Sequence, residues 1–134
     1  MCGIAGSTQP DDQSAVDAML QRLAHRGPDG SGVWFDPNGK IALGCVRLAT
    51  TDLTAQANQP LITTDGRFVL VFNGYIAGHR RKIQAVTRDG LTFQTRNDAE
   101  LILQLMSNAI RQGSDPAQVL QTLSGQYAIA LWDV

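Results

Sequence analysis

Met1-Cys2-Gly3-Ile4-Ala5-Gly6 opens the chain, and its chemistry turns on whether Met1 stays. Removing Met1 places a thiol and a free α-amine on one residue. A thiol attacks as its thiolate, and an α-amine with an unperturbed pKa of about 7.7–8.0 can take its proton near neutral pH. No separate histidine base is then required, and a terminal threonine uses its own amine in the same way. The plainer reading is that Cys2 merely begins a short apolar strand running to Ser7.

Outward from that strand, a polar turn is expected through Gln9, Pro10, Asp11 and Asp12. A helix follows, with Ser14 as N-cap, Asp17 three residues on, and Val16, Met19, Leu20 and Leu23 at helical spacing before Gly27-Pro28. Ser31 to Asp36 and Ile41 to Leu48 read as a hairpin closed by Pro37-Asn38-Gly39. Thr50 to Thr64 has no clear period and reads as a long loop, a kind that often carries function. Arg67 to Phe72 is a strongly apolar strand leading into Asn73-Gly74. A basic helix is expected from about Ile76 to Asp89-Gly90. A longer one begins near Asn97 or Asp98, with Leu101, Ile102, Leu105 and Ile110 as its stripe and Gly113 as its stop. Ser114 and Pro116 start a short helix, and Gln126 to Val134 reads as a final strand. Strands and helices come in blocks without strict alternation, so the fold class is α+β, with antiparallel sheets covered by helices.

The length of 134 residues suits one domain spanning 1–134. Hydrophobic residues at 43% and charged residues at 17% fit a globular chain. A net charge of −1 gives no electrostatic case for nucleic acid or a membrane surface. The start lacks the basic flank and apolar run of a secretion signal, and no stretch approaches the ~18 apolar residues of a membrane span; a cytoplasmic protein is expected. Two cysteines, Cys2 and Cys45, and two histidines, His25 and His79, make neither a disulfide framework nor a metal-ligand cluster. No metal and no organic cofactor is expected. Trp34, Trp132, Phe72 and Tyr127 are read as core.

Several further segments share an order and spacing with Cys2: His25-Arg26-Gly27-Pro28-Asp29-Gly30, Arg47-Leu48-Ala49, Gln59-Pro60-Leu61, Phe72-Asn73-Gly74, Asn97-Asp98-Ala99-Glu100-Leu101, and Gly125 followed by Ala128 to Asp133. Together they resemble the class II glutamine amidotransferase domain, most of all the glutaminase domain of glutamine-dependent asparagine synthetases, from end to end. The resemblance implies a short form of the four-layer αββα sandwich of the N-terminal nucleophile hydrolases. It implies a cysteine amidohydrolase that releases ammonia from glutamine through a γ-glutamyl thioester at Cys2. A small-molecule amide substrate and a synthetase partner chain that receives the ammonia come with it.

Individual residues carry two readings each. Asn73-Gly74 is by spacing alone an ordinary turn, whereas the family places its oxyanion hole on the matching Asn and Gly. Arg47 could make a surface ion pair, but the matching family arginine grips the substrate carboxylate in a bidentate fork. Asp98 suits a helix N-terminus, and its family counterpart meets the substrate ammonium; the two roles are compatible. Arg26, in the loop beside the nucleophile, is given a supporting role. Cys45 is expected to be dispensable for turnover.

Tyr75 is the main departure. Synthetase domains place a glutamate there that helps bind the substrate's amino group, and this chain offers a neutral phenol. Cys45 and Val46 likewise stand where synthetases tend to have His and a charged residue. The chain reads as lacking a synthetase domain, since it stops at Trp132-Asp133-Val134 and has neither a pyrophosphate-binding Ser-Gly-Gly motif nor a Gly-rich phosphate loop. Two alternatives remain: hydrolysis of a different small amide, suggested by Tyr75, and a non-catalytic amidotransferase-like partner domain.

Overall fold

A computed structural model describes residues 1–8 and 13–134. The expected turn through Gln9 to Asp12 lies outside the described residues. Six strands and four α-helices follow in the order β1 (Gly3–Ser7), α1 (Gln13–Leu23), β2 (Gly30–Phe35), β3 (Ala42–Arg47), β4 (Leu61–Ile62), β5 (Phe68–Ile76), α2 (His79–Arg88), α3 (Asp98–Arg111), α4 (Pro116–Gln121) and β6 (Gly125–Asp133). They make two antiparallel three-stranded sheets, ordered β1-β3-β2 and β4-β5-β6.

Strand alternation explains the layering. On β3, Ala42 and Val46 pack with Val16 and Leu20 of α1, while Leu43 and Cys45 point the other way and meet Val69 and Val71 of β5. On β5, Phe68, Leu70, Phe72 and Ile76 take the remaining face and pack against Leu101, Ile102 and Met106 of α3. The order is therefore helix, sheet, sheet, helix, as the resemblance implies. No helix among the described residues is long and apolar enough to cross a membrane.

The hairpin β2–β3 closes as expected, with Gly39 at φ 68° and its N–H donating to the Asp36 carbonyl at 2.8 Å. Asn97 caps α3 by accepting from Glu100 N at 2.8 Å. Gly113, at φ 73°, ends it: Gly113 N donates to Ile110 O and Ser114 N to Ala109 O, the paired bonds of a left-handed C-terminal cap.

The structure corrects several expectations. α1 already includes Gln13, so Ser14 sits inside its first turn and is not the N-cap. Met19 is 41% exposed, because the face of α1 that meets sheet β1-β3-β2 runs through Val16, Leu20 and Leu23. Leu105 and Ile110 are half-buried, and the fully covered side of α3 runs through Leu101, Ile102 and Leu103. The strand entering Asn73-Gly74 does not stop at Phe72. It continues to Ile76 because β6 pairs with it throughout, Asn73 against Ala128 and Gly74 against Tyr127. The long loop also contains structure, a 3-10 turn at Ala55–Ala57 and the short strand β4. Trp34, Trp132 and Tyr127 are only partly buried at the edges of their clusters, whereas Phe72 is fully in the core.

Candidate active site

The inter-sheet layer is apolar along most of its length and becomes polar at one end. Cys2 and Ile4 point into it from the β1 side, next to Leu43 and Cys45. Arg47 projects from the same face of β3 as Cys45, two residues on. From β5, alternation puts Asn73 in the row of Val69 and Val71. A cavity of about 90 Å³ opens at this end, lined by Cys2, Arg47, Gln59, Gly74, Tyr75 and Asp98 among others. A wider concavity of about 460 Å³ lies outside it, between α1 and β2, and neither cysteine lines it.

Cys2 is half-buried and held on two sides. Its Sγ accepts from Leu48 N at 3.4 Å, and Arg26 Nε donates to the Cys2 carbonyl at 3.1 Å. Arg26 thus lies directly behind the Cys2 main chain. The Cys2 thiol is lowered from 9.0 to about 6, first by the adjacent Cys45 side chain, whose thiol also lies 3.4 Å from the Val46 carbonyl oxygen, then by Leu48 N–H, the positive chain terminus and Arg47, with burial opposing. The thiolate is accordingly the resting form near neutral pH. Cys45 moves the other way: the bond to Cys2, burial and the nearby thiolate all push its thiol up. Cys45 therefore bears on the nucleophile, which spacing along the chain could not reveal because Cys2 flanks β1 and Cys45 lies in the neighbouring β3.

Arg47 is buried, and its guanidinium is tied into the following loop. Nη1 donates to Thr54 O at 2.9 Å and Asn58 Oδ1 at 2.6 Å, and Nη2 donates to the Asp52 carbonyl. Two of the five donors of an arginine are left without an acceptor among the described residues. The surface ion pair is thus excluded. Asp52 is itself fixed, accepting from Thr54 Oγ1 at 2.7 Å, Thr54 N at 2.8 Å and Arg96 N at 3.1 Å. These bonds hold its carboxyl below the usual carboxylate range, the Thr54 hydroxyl foremost.

Asp98 is the first residue of α3, but the cap is Asn97, so the Asp98 carboxylate is available for other work. One oxygen accepts from Ile76 N at 3.1 Å. Glu100, two residues along, gathers Gln94 N, Thr95 N and Thr95 Oγ1 at 2.8, 2.6 and 2.5 Å and fixes the approach to the helix. Asn73 is half-buried, with its Oδ1 buried and unpartnered among the described residues. Gly74 lies at φ 151°, and a Cβ there would stand 2.1 Å from Gln126 O. The glycine is thus required by its close approach to β6. Tyr75 is 54% exposed at the rim.

The structure therefore gathers Cys2, Gly74, Tyr75, Arg47 and Asp98 at one cavity, puts Arg26 behind the nucleophile, and places Asn73 in the adjoining row. Sequence reading missed Asp52, Asn58 and Gln59. Their only signal was membership of a long loop and, for Gln59, a shared Gln-Pro-Leu segment. Among the described residues no cluster of His, Cys, Asp and Glu could hold a metal ion.

Comparison with known proteins gives the family. A family model described as a glutamine amidotransferase domain matches residues 1–134. Asparagine synthetase B of Escherichia coli is 38% identical over 138 residues, covering 99% of this chain and 23% of the relative. An amidase of Gibberella zeae, chry2, is 32% identical over 118 residues, covering 88% of the chain and 16% of the relative. The chain thus spans less than a quarter of the length of these relatives. A solved glutamine phosphoribosylpyrophosphate amidotransferase from Bacillus subtilis superposes with a TM-score of 0.75 over 98% of this chain and 34% of its own, at 24% identity, a likeness of fold. With a model match along its whole length, this chain belongs to the class II glutamine amidotransferase family.

Proposed function

We propose that this chain is a cysteine amidohydrolase that releases ammonia from glutamine. The observation that carries the proposal is a half-buried, low-pKa Cys2 thiol opening onto one cavity with Arg47 and Asp98. After removal of Met1, the Cys2 thiolate attacks the side-chain carboxamide carbon. The carbonyl oxygen becomes an oxyanion that the Asn73 side-chain amide and the Gly74 N–H stabilise. The Cys2 α-amine passes a proton to the departing nitrogen, the C–N bond breaks, and ammonia leaves. Water then attacks the γ-glutamyl thioester, gives glutamate and restores the thiol.

Arg47 offers its two remaining donors to the substrate α-carboxylate, and Asp98 offers its second oxygen to the α-ammonium. The pairing of charges at both ends suits an amino acid. No cofactor takes part in these steps. The ammonia acceptor would be a synthetase partner, and a reducing, cytoplasmic setting suits the two free thiols.

A second reading is hydrolysis of a different small amide. Tyr75 favours it, because a phenol at the rim supplies no charge for an ammonium group, and so does the resemblance to a relative described as an amidase.

The test is intact-mass spectrometry during turnover. The processed protein lacking Met1 should release ammonia from glutamine and accumulate a covalent glutamyl adduct at Cys2 when quenched. Cys2→Ser should do neither while keeping its fold. Ammonia release by Cys2→Ser at the parent rate would defeat the proposal.

A further inference from the structure

One edge of β5 carries an unusual arrangement beside the site. β4 pairs with β5 only at Leu61↔Leu70 and Ile62↔Val69. Continuing that register by two residues brings Gln59 opposite Phe72, where no ladder bond is made by the Gln59 main chain. Its side chain makes them instead. Gln59 Nε2 donates to Phe72 O at 3.0 Å, and Phe72 N donates to Gln59 Oε1 at 2.5 Å. A primary amide has one donor and one acceptor side by side, so it can stand in for a neighbouring strand.

The same residue touches the other sheet. A Cβ added to Gly32 of β2 would lie 2.3 Å from the Gln59 carbonyl oxygen, so the main chain of Gln59 lies close against sheet β1-β3-β2. Gln59 is buried and lines the cavity with Cys2. It therefore joins the nucleophile's sheet to the strand that bears Asn73 and Gly74.

Alternation along β5 sends the main-chain polar groups of Leu70, Phe72, Gly74 and Ile76 to the edge away from β6. Leu70 pairs with β4, Phe72 with Gln59, and Ile76 N with Asp98 Oδ2. Gly74 is the member of that row with no such hold among the described residues.

We propose that Gln59 is a positioning residue for amide hydrolysis, clamping the Phe72 backbone so that the next two residues face Cys2 with the Gly74 N–H unpaired and available. The proposal rests on the reading of Asn73 and Gly74 as the oxyanion hole. Displacing a stabilising group by about 1 Å can cost about 10²-fold in rate. Gln59→Leu should accordingly lower kcat about 10- to 100-fold at every pH, with KM within threefold.

Gln59→Glu supplies the sharper test. Protonated, a carboxylic acid donates to Phe72 O and accepts from Phe72 N, as the amide does. Ionised, it sets an anion against the Phe72 carbonyl, and burial favours the neutral form. The ratio of Gln59→Glu kcat to parent kcat should therefore rise as pH falls from 9 to 5, whereas the Gln59→Leu ratio stays flat. Iodoacetamide should alkylate Cys2 in both variants within twofold of the parent rate, as expected if fold and nucleophile are intact.

A flat Gln59→Glu ratio, a loss confined to KM, parent kcat in Gln59→Leu, or loss of Cys2 alkylation would each overturn the proposal. Asn73→Ala, assayed in parallel, separates it from the reading beneath. If Asn73→Ala loses kcat and Gln59→Leu does not, the positioning role alone falls. If Asn73→Ala keeps kcat, the oxyanion hole is misplaced and the role of Gln59 falls with it.

Discussion

Replacing Cys45 by Ala tests the electrostatics of the nucleophile most directly. The Cys45 side chain is the first of the influences that bring Cys2 from 9.0 to about 6, so its removal should move the Cys2 midpoint up, toward the ordinary thiol value. A shift of about 1.5 units, to about 7.5, would lower the thiolate fraction at pH 7 from about nine-tenths to about one-quarter, a fourfold loss. A more basic thiolate is also a better nucleophile, and a Brønsted slope of about 0.4–0.5 returns roughly fourfold to fivefold. The two effects nearly cancel. The rate at pH 7 is therefore a poor readout, and the midpoint is the informative one. Iodoacetamide alkylation of Cys2, followed by mass from pH 4 to 10, should show the midpoint rising in Cys45→Ala. Cys45→Ser, which keeps a hydroxyl donor, should stay near the parent. An unchanged midpoint in Cys45→Ala, or an equal rise in both variants, would refute the assignment. The same cancellation reconciles a coupled Cys45 with its expected dispensability for turnover near pH 7, while the acid limb of activity, set by loss of thiolate as pH falls through about 6, should move to higher pH.

Asn73→Ala should lower kcat roughly 10²–10³-fold, the usual effect of losing one oxyanion donor, with KM little changed; a rise in KM alone would make Asn73 a binding residue. Tyr75→Glu should lower KM for glutamine about 10- to 100-fold by adding a charge-assisted bond to the substrate ammonium, and no gain on glutamine, with loss on other amides, would favour the second reading. Ile102→Ala, at a position with no exposed surface, should cost about 2–5 kcal/mol in denaturant unfolding; a loss under about 1 kcal/mol would mean that α3 is not packed as described.

What could be read from the residues was local. The periodic α3, the hairpin at Pro37-Asn38-Gly39 and the apolar β5 announce themselves, because neighbouring side chains fix them. The end of β5 did not, because its continuation past Asn73-Gly74 depends on a partner strand more than 50 residues away, and an Asn-Gly pair outside that context is a turn signal. The layering of two sheets came from the resemblance rather than from composition. In the site, Cys2, Arg47 and Asp98 could be singled out because each has a distinctive chemistry. Gln59, Asp52 and Asn58 could not, since a neutral amide or a loop carboxylate acquires its meaning only from the main-chain groups it meets. The link from Cys45 to Cys2 was hidden for the same reason: it joins neighbouring strands to a residue 43 positions earlier.

The face-to-face sheets have a consequence for the order in which the protein is made. Everything that activates the thiol, namely Cys45, Leu48 and Arg47, belongs to the first 48 residues, whereas the walls that enclose it, Phe72, Gly74 and Asp98, come later in the chain. During synthesis a reactive sulfur would precede its shelter. In that interval it would be more open to oxidation than in the finished protein, whereas Met1, still 72% exposed after folding, stays within reach of the peptidase that removes it. Protection of the sulfur thus waits for the second sheet to dock, and its maturation does not.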